Sequence, residues 1–141
     1  MSDEVAIQQT LNRYSEGASR RDWDQAVATF VPDGIWEVPA VGARHQGHAA
    51  IREAMGGLVS SFAYMVQINA PAVITVDGNK AKARTMIREF GKFANRPQSL
   101  EILGIYSDEL ARTPEGWKFI RRSLDVLGMH NFALLPELSL T

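Results

Sequence analysis

Gly104-Ile-Tyr106-Ser-Asp108-Glu-Leu-Ala-Arg112-Thr-Pro114-Glu-Gly116-Trp117-Lys-Phe119-Ile-Arg121-Arg122 reads as two β-strands joined by a tight Pro-Glu-Gly turn. β-formers Ile102, Ile105 and Tyr106 mark the first strand, and Trp117, Phe119 and Ile120 mark the second. Side chains alternate along a strand, so Trp117, Phe119 and Arg121 are expected on one face. Lys118, Ile120, Arg122, Leu124 and Val126 are then expected on the other. Arg122 is thereby flanked by apolar neighbours, and a guanidinium held there must find a carboxylate, a carbonyl or a ligand.

Upstream of this hairpin the pattern is helical first and extended afterwards. Ser2-Asp3-Glu4 is a capping start, followed at helical spacing by Val5, Ile7, Leu11, Tyr14 and Ala18. Asp22 caps a second, shorter helix carrying Trp23, Ala26, Val27 and Phe30, ended by Pro32-Asp33-Gly34. Ile35 to Val38 reads as a short strand, Gly42 to Gly47 as a loop, and His48 to about Leu58 as a third helix broken at Gly56-Gly57. Strands follow over Phe62 to Asn69, Ala72 to Val76 and Lys80 to Phe93, with Asp77-Gly78-Asn79 as a turn. Residues 128–141, with Pro136, read as a tail that is loose or packed on a partner.

Composition narrows the class. A chain of 141 residues can bury roughly two thirds of its unfolded surface in one core, so a single domain over 1–141 is expected. The absence of cysteine excludes disulfides, thiolate metal sites and a thiol nucleophile. Fifteen basic and sixteen acidic residues give a formal charge of -1, without the cationic excess that nucleic acid demands. The acidic N-terminus and the lack of a long apolar run predict a cytoplasmic protein that neither carries a signal peptide nor enters a membrane.

Helices in the first half and an antiparallel sheet in the second predict an α+β fold with helices covering one sheet face. From Ala6 to about Val126 the sequence resembles the SnoaL-like members of the nuclear-transport-factor-2-like superfamily. The resemblance rests on Tyr14 followed by Arg21-Asp22-Trp23, Phe30-Val-Pro-Asp33-Gly34-Ile-Trp36, Gly47 to Ile51, Val76-Asp77-Gly78-Asn79-Lys80-Ala81, and Gly104-Ile-Tyr106 before Gly116-Trp117-Lys-Phe119. It implies a cone, a curved sheet wrapped by helices around one deep pocket. That cone hosts ketosteroid isomerases, scytalone dehydratase, polyketide cyclases, a dehydrochlorinase, dioxygenase β subunits and transport adaptors, so fold alone does not give function.

By the same resemblance, the pocket-facing set is Trp36, His45, Ile87, Glu89, Ile102, Tyr106, Arg122, Leu124 and Val126. Alternation along Lys80 to Phe90 agrees: Ala81, Ala83, Thr85, Ile87 and Glu89 share one face, and Lys82, Arg84, Met86, Arg88 and Phe90 share the other. The dehydratase branch uses an Asp after the first helix to orient a His base on the first long strand. Here those positions align with Ser19 and Gln67, and a glutamine amide takes no proton near neutral pH. Any chemistry must therefore use other groups.

Each remaining candidate has two readings. Tyr14 and Tyr106 either present a hydroxyl to the pocket or sit in the core with that hydroxyl satisfied. Glu89 is either a proton-transfer group of raised pKa or half of an ion pair with Arg122. Arg122 either anchors an enolate or carboxylate or pairs with Glu89 or Asp125. His45 is placed at the pocket rim as an acid or base, and with His48 it lacks the third close ligand a metal needs. No metal or other cofactor is expected.

Two functions from different classes follow. One is a small lyase or isomerase, a dehydratase, cyclase or isomerase acting by proton transfer on a hydrophobic cyclic or polyketide-like compound, with Tyr14, Glu89, Arg122 and His45 as the chemical groups. Trp36, Gln67, Ile87, Ile102, Tyr106, Leu124 and Val126 then bind the ligand. The other is a module that binds a small molecule or a subunit without catalysis. Homodimerisation is expected through the outer sheet face, on the reading that Trp117 and Phe119 lie there.

Overall fold

A computed structural model describes residues 1–134, and residues 135–141 of the expected tail lie outside the described part. Ser2 caps the first helix, α1 (Asp3–Arg20), by accepting from the Val5 amide at 3.2 Å. Arg21 ends it in the left-handed conformation (φ 60°). Asp22 caps α2 (Trp23–Ala28) through the Gln25 amide at 3.0 Å. There follow β1 (Phe30–Val38), a 3-10 turn at Pro39–Val41, β2 (Ala43–Gln46) and α3 (His48–Val59). The remaining strands are β3 (Phe62–Asn69), β4 (Val73–Asp77), β5 (Lys80–Phe93), β6 (Gln98–Thr113) and β7 (Gly116–Ala133). No described helix is long and apolar enough to cross a membrane.

The architecture is α+β: a curved, unclosed seven-stranded sheet in the order β2-β1-β7-β6-β5-β3, with β4 also paired to β5. β1 runs parallel to β7, and the other pairings are antiparallel. The long strand Lys80–Phe93 and its alternation follow the sequence. Ala81, Ala83, Thr85 and Ile87 are buried, while Lys82, Arg84, Met86 and Arg88 are exposed. Asp3 ties α1 to the β6–β7 hairpin, its carboxylate held bidentately by Arg112 (2.7 and 2.9 Å) and by Trp117 Nε1 (3.1 Å). Those donors, Arg112 first, hold the Asp3 carboxyl below its usual range.

The hairpin departs from the expected register in one consequential place. Leu110 pairs with Phe119 but Glu109 pairs with Arg121, so Ile120 is an extra residue in a β-bulge. The bulge resets the alternation, and Trp117 and Phe119 face inward with Arg122 and Leu124, all four buried. The outward placement of Trp117 and Phe119 is therefore corrected, and with it the reason given for dimerisation. A second irregularity, at Leu127, returns Met129 to the inner face. Where β6 and β7 pack, Gly104 is required: a Cβ there would lie 2.8 Å from Leu124 Cδ1 and 2.9 Å from the Asp125 carbonyl.

Four smaller expectations change. β1 begins at Phe30, so Pro32-Asp33-Gly34 lies in a strand with an irregular register, and the expected Gly42–Gly47 loop contains β2. α3 runs through Gly56-Gly57 to Val59, because burial of Ile51 and Met55 outweighs the helix penalty of glycine, about 1 kcal/mol each. β7 continues to Ala133, past Gly128, because its pairing with β6 extends to Gln98–Ala133.

Candidate functional site

The helices and the inner sheet face enclose a cavity of about 540 Å³. Most of its wall is apolar, including Trp23, Met55, Phe62, Met65 and Leu100. Of the residues expected at the site, Tyr14 on α1, Trp36 on β1, His45 on β2, Gln67 on β3, Glu89 on β5, Ile102 on β6, and Leu124 and Val126 on β7 face it. Ile87, Tyr106 and Arg122 do not, and lie buried one layer behind the wall.

Glu89 and Gln67 are cross-strand partners in the β3–β5 ladder, and the Gln67 side-chain amide donates to the Glu89 carboxyl. Gln67 is itself fixed from α1. Ser19 Oγ accepts from its backbone N–H at 2.9 Å, and Ser15 Oγ lies 3.2 Å from Gln67 Oε1 and 2.8 Å from Asn69 Oδ1. Ser15 was not singled out in the sequence. Its signal is the helical spacing to Ser19, which puts both hydroxyls over β3. Burial raises the Glu89 carboxyl above its usual value, against the Gln67 hydrogen bond and the positive charge of Arg122, which pull it down.

Arg122 does not pair with Glu89 or Asp125, which corrects both expected pairings. Its Nε and Nη2 meet the Asp108 carboxylate at 3.0 and 3.4 Å, and both side chains are fully buried. The guanidinium also lies over the rings of Tyr106 (3.8 Å), Tyr14 (4.3 Å) and Phe119 (4.5 Å). Asp108 was missed by sequence reasoning, although it shares a strand face with Tyr106.

The hydroxyls form a directed chain. Trp36 Nε1, which can only donate, gives its hydrogen to Tyr106 Oη at 3.1 Å, and the two tyrosine hydroxyls are 3.2 Å apart. Tyr106 is fully buried, and among the described residues Tyr14 Oη is the acceptor within its reach, so the arrangement that leaves no buried hydroxyl hydrogen unpaired has Tyr106 donating to Tyr14. Tyr14 then keeps its own hydrogen free to donate into the cavity it lines. Burial pushes the Tyr106 phenol up to about 12 and the Tyr14 phenol well above its ordinary value, so both stay protonated and act as donors rather than bases.

His45 stacks on Trp36 at the rim, with ring centroids 5.7 Å apart and planes at 21°. His48 spends a ring nitrogen on the Phe30 carbonyl at 2.9 Å, so the two histidines do not converge. Among the described residues no group of three or more metal-ligating side chains occurs.

A family model for the SnoaL-like domain matches residues 1–123. The chain belongs to the SnoaL-like family. This SnoaL-like protein is 29% identical over 123 residues to an uncharacterized protein of Mycobacterium tuberculosis, with 86% of this chain and 84% of the relative covered. Its fold aligns with a type 3 hexachlorocyclohexane dehydrochlorinase (LinA) from Novosphingobium barchaimii at a TM-score of 0.82 and 17% identity, over 94% of each chain. It also aligns with an NTF2-like protein of cystatin-like fold from Novosphingobium aromaticivorans at a TM-score of 0.76 and 26% identity, covering 89% of this chain and 82% of that one. The cone fold expected from the sequence is thus established for this SnoaL-like chain.

Proposed function

We propose that this protein is a cofactor-independent lyase or isomerase that moves a proton on a hydrophobic cyclic or polyketide-like carbonyl compound, with Glu89 as the acid–base group. The observation that carries this reading is a carboxyl, Glu89, set in the strand side of a mostly apolar wall and clamped by Gln67, with the Tyr14 hydroxyl on the same wall. Tyr14 donates to the substrate carbonyl and stabilises charge that develops on its oxygen. The Glu89 carboxylate takes the proton from the adjacent carbon. It then returns that proton to a different carbon for a double-bond shift, or to a departing hydroxyl for an elimination. Gln67 orients the carboxyl, in place of the Asp–His pair of the dehydratase branch. Trp36, Ile102, Leu124 and Val126 hold the apolar body, and His45 closes the rim.

The test is deuterium uptake by 2-tetralone in heavy water, followed by proton NMR. The protein should accelerate exchange next to the carbonyl, and Glu89→Gln should lower the rate by about a hundredfold or more. No acceleration by the wild type, with saturable 2-tetralone binding, would favour the second reading, a binding module. What supports that alternative is the occupation of the two branch positions by Ser19 and Gln67, neither of which is a base.

A further inference from the structure

We infer that the cavity takes a hydrophobic ligand without negative charge and rejects carboxylates, phosphates and sulfates of the same shape. The inference rests on the reading of this cavity as a ligand site and adds a charge rule to it. Among the described residues, the ionisable ones on the wall are Tyr14, His45, Glu53 and Glu89, with no lysine or arginine. Two carboxyls therefore line the space, Glu89 in the strand wall and Glu53 at its solvent-exposed edge on α3.

Cations in the surrounding elements lie off this wall, and those nearest in sequence or space to its carboxyls have partners of their own. Arg122 lies off the wall behind the Tyr14 and Tyr106 rings and is paired with Asp108, so no guanidinium hydrogen is presented to the cavity. Arg88, next to Glu89 in sequence, points to the opposite sheet face and pairs with Glu101. Arg52 on α3 pairs with Asp24, and Arg21 donates to the Val59 and Phe62 carbonyls. An anion entering the cavity would lose its hydration, meet no counter-charge, and face Glu89 or force a proton onto it. A neutral carbonyl or hydroxyl meets the Tyr14 donor with none of these costs. The reaction that supplies this ligand must leave it free of phosphate and ionised carboxyl groups.

The experiment titrates the full chain near neutral pH with 2-naphthamide and 2-naphthoate, which share one shape and differ in charge. The readout is quenching of Trp23 and Trp36, both on the cavity wall. The amide should saturate the signal, with naphthoate weaker by about tenfold or more, and Glu53→Gln should narrow the gap. Naphthoate binding as tightly as the amide would overturn the charge rule while leaving the proton-transfer reading intact. Failure of both probes to bind would overturn both. Rejection of naphthoate without any exchange of 2-tetralone would uphold the charge rule and sink the catalytic reading alone.

Discussion

Gln67 and Glu89 face each other across the β3–β5 ladder, and the amide of one donates to the carboxyl of the other. The glutamine amide is thus spent on holding the acid, which supports the proposal that Glu89 is the proton-carrying group.

Stability should fall with rising pH through Glu89. Its folded pKa lies above the ordinary glutamate value of 4.5, so the folded state holds the proton more tightly than the unfolded chain. That contribution is fully present below the ordinary value and is lost as pH climbs through the raised one. Thermal melts of wild type and Glu89→Gln across this range should diverge, with the variant's melting temperature flatter and higher on the alkaline side. Parallel curves would contradict the assignment.

Arg122 and Asp108 form a fully buried pair, so either single alanine substitution strands a charge. Each should cost about 3 to 5 kcal/mol by denaturant unfolding. Changing both to apolar residues of similar volume should cost much less than the sum of the singles. Additive costs would show that the two side chains are not coupled.

Tyr106→Phe removes the link between Trp36 and Tyr14, leaving the Trp36 Nε1 donor without its acceptor. The expected loss is about 1 to 3 kcal/mol of stability. The exchange rate should fall as well, because the Tyr14 hydroxyl is no longer held as a donor into the cavity. Tyr14→Phe should lower the rate more than Tyr106→Phe does. The reverse order would place the working hydroxyl on Tyr106.

Homodimerisation remains a proposal, now on different residues. Tyr64, Val66 and Ile68 on β3 and Met86 on β5 are exposed on the outer sheet face. Apolar side chains gathered there fit a second copy. Sedimentation at micromolar concentration should show a dimer that Val66→Lys with Ile68→Lys converts to monomer. A wild-type monomer would end the proposal.

The fold was legible where local chemistry is strong. Ser2 and Asp22 cap the helices as read, the turn at Gly78 (φ 60°) separates β4 from β5, and β5 keeps its expected faces. What the sequence could not show was the bulge at Ile120, because one extra residue in Trp117-Lys-Phe119-Ile-Arg121 leaves no compositional mark. That single residue moved Trp117 and Phe119 to the inside. It also shifted the pairing so that Arg122 lies opposite Asp108. The Glu89 placement survived because β5 has regular alternation up to it. The role of Gln67 was hidden because an amide's purpose depends on its cross-strand partner, which only the register fixes.

Glu89 is proposed as the proton-carrying group of an apolar ligand cavity, and carbon-13 NMR of glutamate-labelled protein tests this most directly. With its signal assigned through Glu89→Gln, the Glu89 carboxyl should titrate above the ordinary glutamate range and shift when 2-naphthamide binds. Titration in the ordinary range, unmoved by the ligand, would contradict the account.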